Sequence, residues 1–580
     1  MPSRFIIGCL LTIFVLTTAV RPVVGQDPRP DHNPLEAAWY VAEKIAPPAD
    51  GEHERSCSAP NPYEPAYHIA KYYWRLGQYD AALRTLKGLS YRQQDDFTWR
   101  LLLEPVRLEQ QEAVEKLVRQ TLDTVRDKPD YGPRQYDGLL EPWLIQWGEL
   151  DKARGLSEPS ASTGVAAAFI KVGRKTEARE LVERAFAQAQ EEANRHLGAK
   201  PEHVDAEPDP VEYGIQRNKT RYQLEQLGGI GAVFFALEDA EKVEAVVQLA
   251  TKVGASLEEE AVQPMMIILI RTHRFQEAMK LYDPWQNELI ARGYISRIEL
   301  AKEFLQAGET ERAIRLLESE ERSRRPNSWP EGLVEAWLAA GKPERARALI
   351  ERSDPEEDLS ASAVAVADWF VKRGDRKSAL AMLDLGVAML KKHPREIDGE
   401  YDESMFDYSY VFVLGERGGF PLLVDKYLEL KEFDGARRAN AAIPLPQTRA
   451  EGLADLARAL LLAGQKAKAK IAIDEALALA EGAKKTPRDR YPLPALSRIA
   501  AVYAQLGEAE RAADLFVKVL SRERTEKSYF EPVLGLAEIG FYYEQSGLKP
   551  DERIAAQLWA LIDHLIQEAA KQPPREKRGH

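Results

Sequence analysis

Cysteine, histidine, clustered positive charge and the motifs of catalysis are all scarce in this chain. Of 580 residues only Cys9 and Cys57 are cysteines. Cys9 lies inside an apolar N-terminal run, so loss of that run leaves no possibility of an intrachain disulfide. Cys57 reads as an unremarkable thiol, since no family signature surrounds it. The nine histidines are scattered, with no two at a metal-ligand spacing on one helix, which argues against a zinc site. Acidic residues outnumber basic ones, 92 to 79. The basic runs are short, as at Arg322, Arg324 and Arg325, or Arg575, Lys577 and Arg578. A phosphate-binding surface needs clustered Lys and Arg, so nucleic acid is not an expected partner.

Catalytic signatures are missing too. No glycine-rich loop ends in Gly-Lys-Ser or Gly-Lys-Thr, and no serine stands between glycines as in a nucleophile elbow. Gly229, Ile230 and Gly231 lack both a preceding strand and a third glycine, so close helix packing explains them better than a dinucleotide loop. Carboxylates are abundant without any being marked as a general acid. No cofactor, metal or catalytic residue is therefore expected.

Long apolar runs are also rare, and residues 5–20 form the one that stands out. With Arg4 before it and the small residues Val23 and Gly25 after it, residues 1–25 read as an export signal whose cleavage leaves Gln26 first. Loss of Arg4 and Arg21 brings the net charge from −13 to −15. This places the protein in the periplasm or outside the cell; the alternative is an uncleaved N-terminal membrane anchor.

What the chain does have is a period. Gly308, Gly341 and Gly374 recur every 33 residues, and each is followed five residues later by alanine: Ala313, Ala346 and Ala379. Each glycine separates two short amphipathic helical patterns. Glycine fits just past a helix end, because it takes positive φ without steric cost. Alanine one turn into the next helix lets the two backbones approach closely. Such a hairpin cannot bury its own apolar face and must stack on a neighbour.

These units resemble the tetratricopeptide repeat. Ala301 and Ala367 stand at its small position and Phe304, Trp337 and Phe370 at its aromatic position, while Val334 departs. The unit with Ala70, Tyr73, Gly77, Tyr79 and Ala82 matches most closely. Glycine–alanine pairs recur at Gly77, Gly148, Gly173, Gly308, Gly341, Gly374, Gly464 and Gly507. Two units without glycine are read at Ala240 with Ala245 and at His273 with Ala278. The expected fold is all-α, an α-solenoid or superhelix of stacked antiparallel hairpins. Its expected parts are a Pro-rich linker at 26–60 with a short helix at 35–45 docked on the first repeat, repeats at 61–188, a polar loop at 189–219, and central repeats at 220–392. An irregular spacer around Gly418 follows at 393–446. C-terminal repeats with a cap at 447–570 and a disordered tail at 571–580 complete the chain.

The resemblance implies that the first helix of each hairpin lines a concave groove, with the residues 10, 6 and 3 before the turn facing it. Carried over, this names Tyr67, Lys71 and Trp74; Ile298, Lys302 and Leu305; Glu331, Glu335 and Leu338; Val364, Asp368 and Val371; and Ile230, Phe234 and Leu237. Core packing is an equal reading for Trp74 and Phe234. The Lys–Asn clamp by which some family members hold a peptide carboxylate is absent here. The expected function is a non-catalytic scaffold whose partners are proteins or peptides. The alternative is an all-helical toroid that binds or cleaves polysaccharide. The two differ in geometry: a toroid brings Tyr67 near Leu536 and gathers carboxylates, whereas an open solenoid keeps its ends apart.

Overall fold

The computed structural model describes residues 33–45, 64–87, 98, 111–125, 144–156, 163–198, 210–255, 257–282, 296–323, 332–353, 359–392, 419–482, 493–523, 530–549 and 551–571. The expected signal, Cys57, Gly418 and residues 572–580 lie outside them. Among the described residues the structure is helical throughout. The helices are α1 (Pro34–Ile45), α2 (Glu64–Arg75), α3 (Tyr79–Lys87), α4 (Gln111–Val125), α5 (Leu150–Leu156), α6 (Thr163–Lys171), α7 (Lys175–Gly198), α8 (Pro210–Ala236), α9 (Ala240–Gly254), α10 (Val262–Arg271), α11 (Phe275–Tyr282), α12 (Arg297–Gln306) and α13 (Thr310–Ser323). There follow α14 (Leu333–Ala339), α15 (Pro343–Arg352), α16 (Ser360–Val371), α17 (Arg376–Lys392), α18 (Gly419–Glu429), α19 (Phe433–Ala441), α20 (Pro446–Leu462), α21 (Lys466–Gly482), α22 (Leu493–Leu506), α23 (Ala509–Glu523), α24 (Phe530–Ser546) and α25 (Glu552–Lys571).

The turn between paired helices follows one hydrogen-bond pattern. At Gly308 the glycine N–H donates to Leu305 O and the next N–H, of Glu309, donates to Phe304 O, at 3.1 and 2.8 Å. This is the Schellman motif, which requires a left-handed residue at the turn. All the turn glycines named above have φ between +71° and +92°. The alanine five residues on is fully buried in each of these units. Where glycine is missing, Glu238, His273 and Lys431 take the same conformation at φ of 60°, 60° and 56°. Their neighbours make the same paired bonds, such as Glu432 N–H to Tyr427 O at 2.8 Å.

These turns correct three expectations. The turn before α9 is at Glu238, two residues earlier than the register set by Ala240. From Gly419 onward the expected irregular spacer holds a regular hairpin, α18–α19, turning at Lys431, with Ala436 buried five residues later. The polar loop at 189–219 shrinks, because α7 continues to Gly198 and α8 begins at Pro210. Ala185, Phe186, Ala189 and Ala193 keep helical spacing and are buried, so a polar outer face had concealed a helix.

First helices pack on first helices along the stack: α6, α8, α10, α12, α14, α16, α18, α20, α22 and α24 in succession. The stack then closes on itself. α24 packs on α2, and Tyr72 stacks on Phe541 with ring centroids 4.9 Å apart. The short N-terminal helix does more than dock on the first repeat. α1 touches α2 but packs chiefly on α24, and also on α25, which itself lies against α23. Leu35, Ala37, Ala38 and Val41 are fully buried in this contact zone. At Gly540 the two backbones come so close that a Cβ would collide with Leu35 N. Asn33 accepts the Leu35 N–H at 2.9 Å and donates to Glu544 Oε1 at 2.5 Å, tying residues 511 apart in sequence. The C-terminal helix therefore holds α1 as well as capping the stack, and the solenoid is a closed ring.

A non-glycine residue in the left-handed region costs about 1–2 kcal/mol. Lys431 is exposed, so Lys431→Gly is expected to stabilise the protein by about 0.5–1 kcal/mol. Nothing lies within 4 Å of a Cβ at Gly464, so Gly464→Ala should destabilise by about 1 kcal/mol through backbone strain alone. Urea denaturation of both variants beside the parent measures each shift.

Candidate binding groove and ring-closing cluster

Three successive first helices, α8, α10 and α12, form the walls of a groove of about 500 Å³. Arg221 and Glu225 come from α8, Gln263, Ile267 and Arg271 from α10, and Glu299, Lys302, Glu303 and Gln306 from α12. Most of these polar groups are already engaged. Arg271 forks onto Glu303, with Nε to Oε2 at 2.8 Å and Nη2 to Oε1 at 2.6 Å. Gln263 donates to Glu299 and accepts the Ser296 N–H at 2.8 Å. Arg221 pairs with Glu225 at 3.2 Å. Lys302 and Gln306 have no hydrogen-bond or ion-pair partner among the described residues. The groove thus has a fixed polar lining with one ammonium and one amide left to meet a ligand.

The structure separates the groove residues expected from sequence. Lys302 lines the cavity, and Leu305 is half-buried on the same helix. Glu335 is exposed, while Leu338 is buried. Asp368 is held in an ion pair by Lys426, which also bonds Glu429 at 2.7 Å. Lys71 and Trp74 are buried where the ring closes, with Trp74 edge-on to Tyr79 at 4.9 Å, so both belong to the wall. The side chain of Tyr67 lies outside the described residues. Ile230, Phe234 and Leu237 are core, and Phe234 meets Phe186 edge-on at 5.8 Å. Their assignment to the groove rested on the turn at Ala240. Counted from Glu238, the groove positions are Gly228, Ala232 and Phe235. Phe235 is indeed exposed, stacked on His273 at 4.1 Å.

A second constellation lies where the ends meet, and sequence reasoning missed it. Arg498 on α22 lies 3.4 Å from Glu451 and 3.2 Å from Asp455, both on α20, and 3.8 Å from Glu538 on α24. Its guanidinium stands over the Tyr542 ring at 5.4 Å. Burial opposes the charge on Arg498, but Tyr542 and the three carboxylates around it hold the guanidinium ionised. Burial also pushes up the phenols of Tyr72 and Tyr542. The signal was present in the register. Asp455, Arg498 and Glu538 each stand nine residues before their turn glycines, so acid, base and acid alternate along one row of adjacent first helices. Among the described residues no group of His, Cys, Asp or Glu could hold a metal ion, and no helix is long and apolar enough to cross a membrane.

No protein-family model and no curated protein matches the chain. Solved structures similar to it include a circular tandem repeat protein with novel repeat topology and enhanced subunit contact surfaces. It is 14% identical, with 93% of this chain and 95% of that one covered, at a TM-score of 0.15. The pentatricopeptide repeat protein PPR10 from maize is 14% identical over 89% of this chain and 75% of its own, at a TM-score of 0.21. The APC/C hetero-tetramer Cut9-Hcn1 is 12% identical over 80% of this chain and 92% of its own, at 0.16. Scores this low carry no argument. The architecture, a tetratricopeptide-like helical-repeat solenoid, rests on the hairpins and turns described above.

Removing one partner from a buried ion pair costs about 3–5 kcal/mol. Arg498→Leu leaves three carboxylates facing one another, so it should lower Tm sharply and speed hydrogen exchange in α24. Glu544 gives a pH-dependent test. Burial first, then the charge of Glu36 on α1, hold its carboxyl above the ordinary 4.5, while hydrogen bonds from Asn33 and Gln78 pull the other way. The folded state therefore keeps the proton longer than the unfolded one. Its contribution to stability is present below the ordinary value and is lost as pH rises through the raised one. Glu544→Gln is expected to raise Tm at neutral pH, with the gain vanishing on acidification below the ordinary glutamate range, as read from thermal melts across pH.

Proposed function

We propose that this protein is an exported, non-catalytic ring that binds an extended segment of a protein partner in the groove across α8, α10 and α12. The observation that carries the reading is the convergence of polar side chains from three consecutive first helices on one cavity, with Lys302 and Gln306 unengaged among the described residues. Ion pairs that fix Arg271 and Glu303 preorganise the lining, which reduces the ordering cost of binding. An extended segment with an acidic side chain opposite Lys302 fits this lining, and Ile267 offers an apolar contact. The acidic balance of the chain disfavours nucleic acid.

A second reading, the toroid, draws support from the packing of α24, which carries Leu536, on α2. The partly exposed carboxylates of Glu451 and Asp455 beside Arg498 would then line a saccharide-binding wall. The two readings separate in one experiment. The chain from Gln26 onward is immobilised beside Lys302→Glu and presented with envelope extract and with a polysaccharide panel. A protein retained by the parent and weakened at least about tenfold by the variant supports the scaffold, a change of about 1.4 kcal/mol. Polysaccharide retention or release of reducing ends, indifferent to Lys302, supports the toroid and overturns the scaffold.

A further inference from the structure

The slot that α1 fills is built chiefly by the opposite end of the chain, with α2 beside it. α24 forms its floor, α25 one side and α2 the other. α1 enters it as an amphipathic helix, burying Leu35, Ala37, Ala38, Val41 and Ala42 while Glu36 stays exposed. This is helix-in-groove recognition, read by spaced apolar anchors. An isolated helix of 12 residues is marginal in water, so α1 owes its order to the slot. Closure of the ring is thus a binding event between two parts of one chain.

The slot is selective for this helix. Gly540 admits only a helix whose backbone comes close at the position of Leu35. Glu544 accepts from the residue that caps the helix, Asn33, whose Oδ1 also takes the Leu35 and Glu36 N–H groups. The occupant must therefore carry Asn at its cap, Leu two residues later and alanines on the buried face. That sequence is the chain's own. Residues 46–63 join α1 to α2, and a segment of that length spans at most roughly 60 Å by covalent geometry.

We infer that α1 exchanges between copies: the slot of one chain accepts α1 of a second copy, and the contact that closes one ring also joins two chains into a swapped dimer. No new surface is needed, since the same residues meet in either arrangement. Tethering places a chain's own α1 at an effective concentration on the order of mM, so the closed monomer prevails in dilute solution. The swapped form grows as protein concentration rises.

Cross-complementation tests this. One full chain carries Leu35→Asp, which spoils α1 and leaves the slot. The other carries Gly540→Leu, which blocks the slot and leaves α1. Each alone should remain monomeric, and an equal mixture should give a heterodimer by native mass spectrometry, with α24 regaining protection from hydrogen exchange. Absence of the heterodimer from mixed, folded variants at about 0.1–1 mM overturns the inference. Should either variant fail to fold, two differently labelled parent chains are concentrated together and then diluted. Mixed-label dimers support exchange, and monomers at every concentration refute it.

Discussion

The contact between α1 and α24 is the constraint on which the rest of the ring depends. A stack of hairpins normally ends in two exposed faces, each needing a polar cap. Here each end covers the other. Gly540 lets the backbones meet, Leu35 and Val41 fill the interface, and Asn33 ties the helix start to Glu544. The same closure brings Tyr72 against Phe541 and continues the row of first helices from α24 into α2. It also buries Lys71 and Trp74, which an open stack would leave facing a groove.

Closure changes how charge is used along the inner row. On the side of α8 to α12, ion pairs form within the wall and leave Lys302 without a partner there. Near the junction, Asp455, Arg498 and Glu538 alternate across three helices, so the last units are stapled by charge as well as by packing. Outer helices add further pairs, such as Arg174–Asp151 at 2.9 Å and Lys518–Glu481 at 2.5 Å. These are exposed and each adds little.

Much of the fold was legible because glycine and alanine report local geometry. A left-handed turn favours glycine, and a close helix crossing favours alanine, so Gly308 with Ala313 carries the hairpin in its own sequence. Glu238 and Lys431 hid their turns, because the paired bonds to Phe234 and Tyr427 impose on them a conformation their side chains disfavour. That concealment shifted the register by two residues and sent Ile230, Phe234 and Leu237 to the groove when they belong to the core. Lys302, counted from a turn that is glycine, lines the cavity between α8, α10 and α12. Ring closure, a contact between residues about 500 apart, was legible only as the toroid alternative, yet it left two traces. Gly540, like Gly535 beside Glu523, sets a glycine inside α24 where another element comes close, and Glu552 stands where a tightly crossed hairpin would carry alanine.

The central claim is that the two ends of the chain meet through α1. Spin labels at the exposed positions Glu36 on α1 and Glu552 on α25, with Cys9→Ser and Cys57→Ser to remove the native thiols, measure that meeting directly by pulsed dipolar spectroscopy. A single narrow distribution at the separation of neighbouring helices, in dilute solution, is the result a closed ring requires. A broad distribution at long distance would mean an open solenoid, with the groove then running free to both ends.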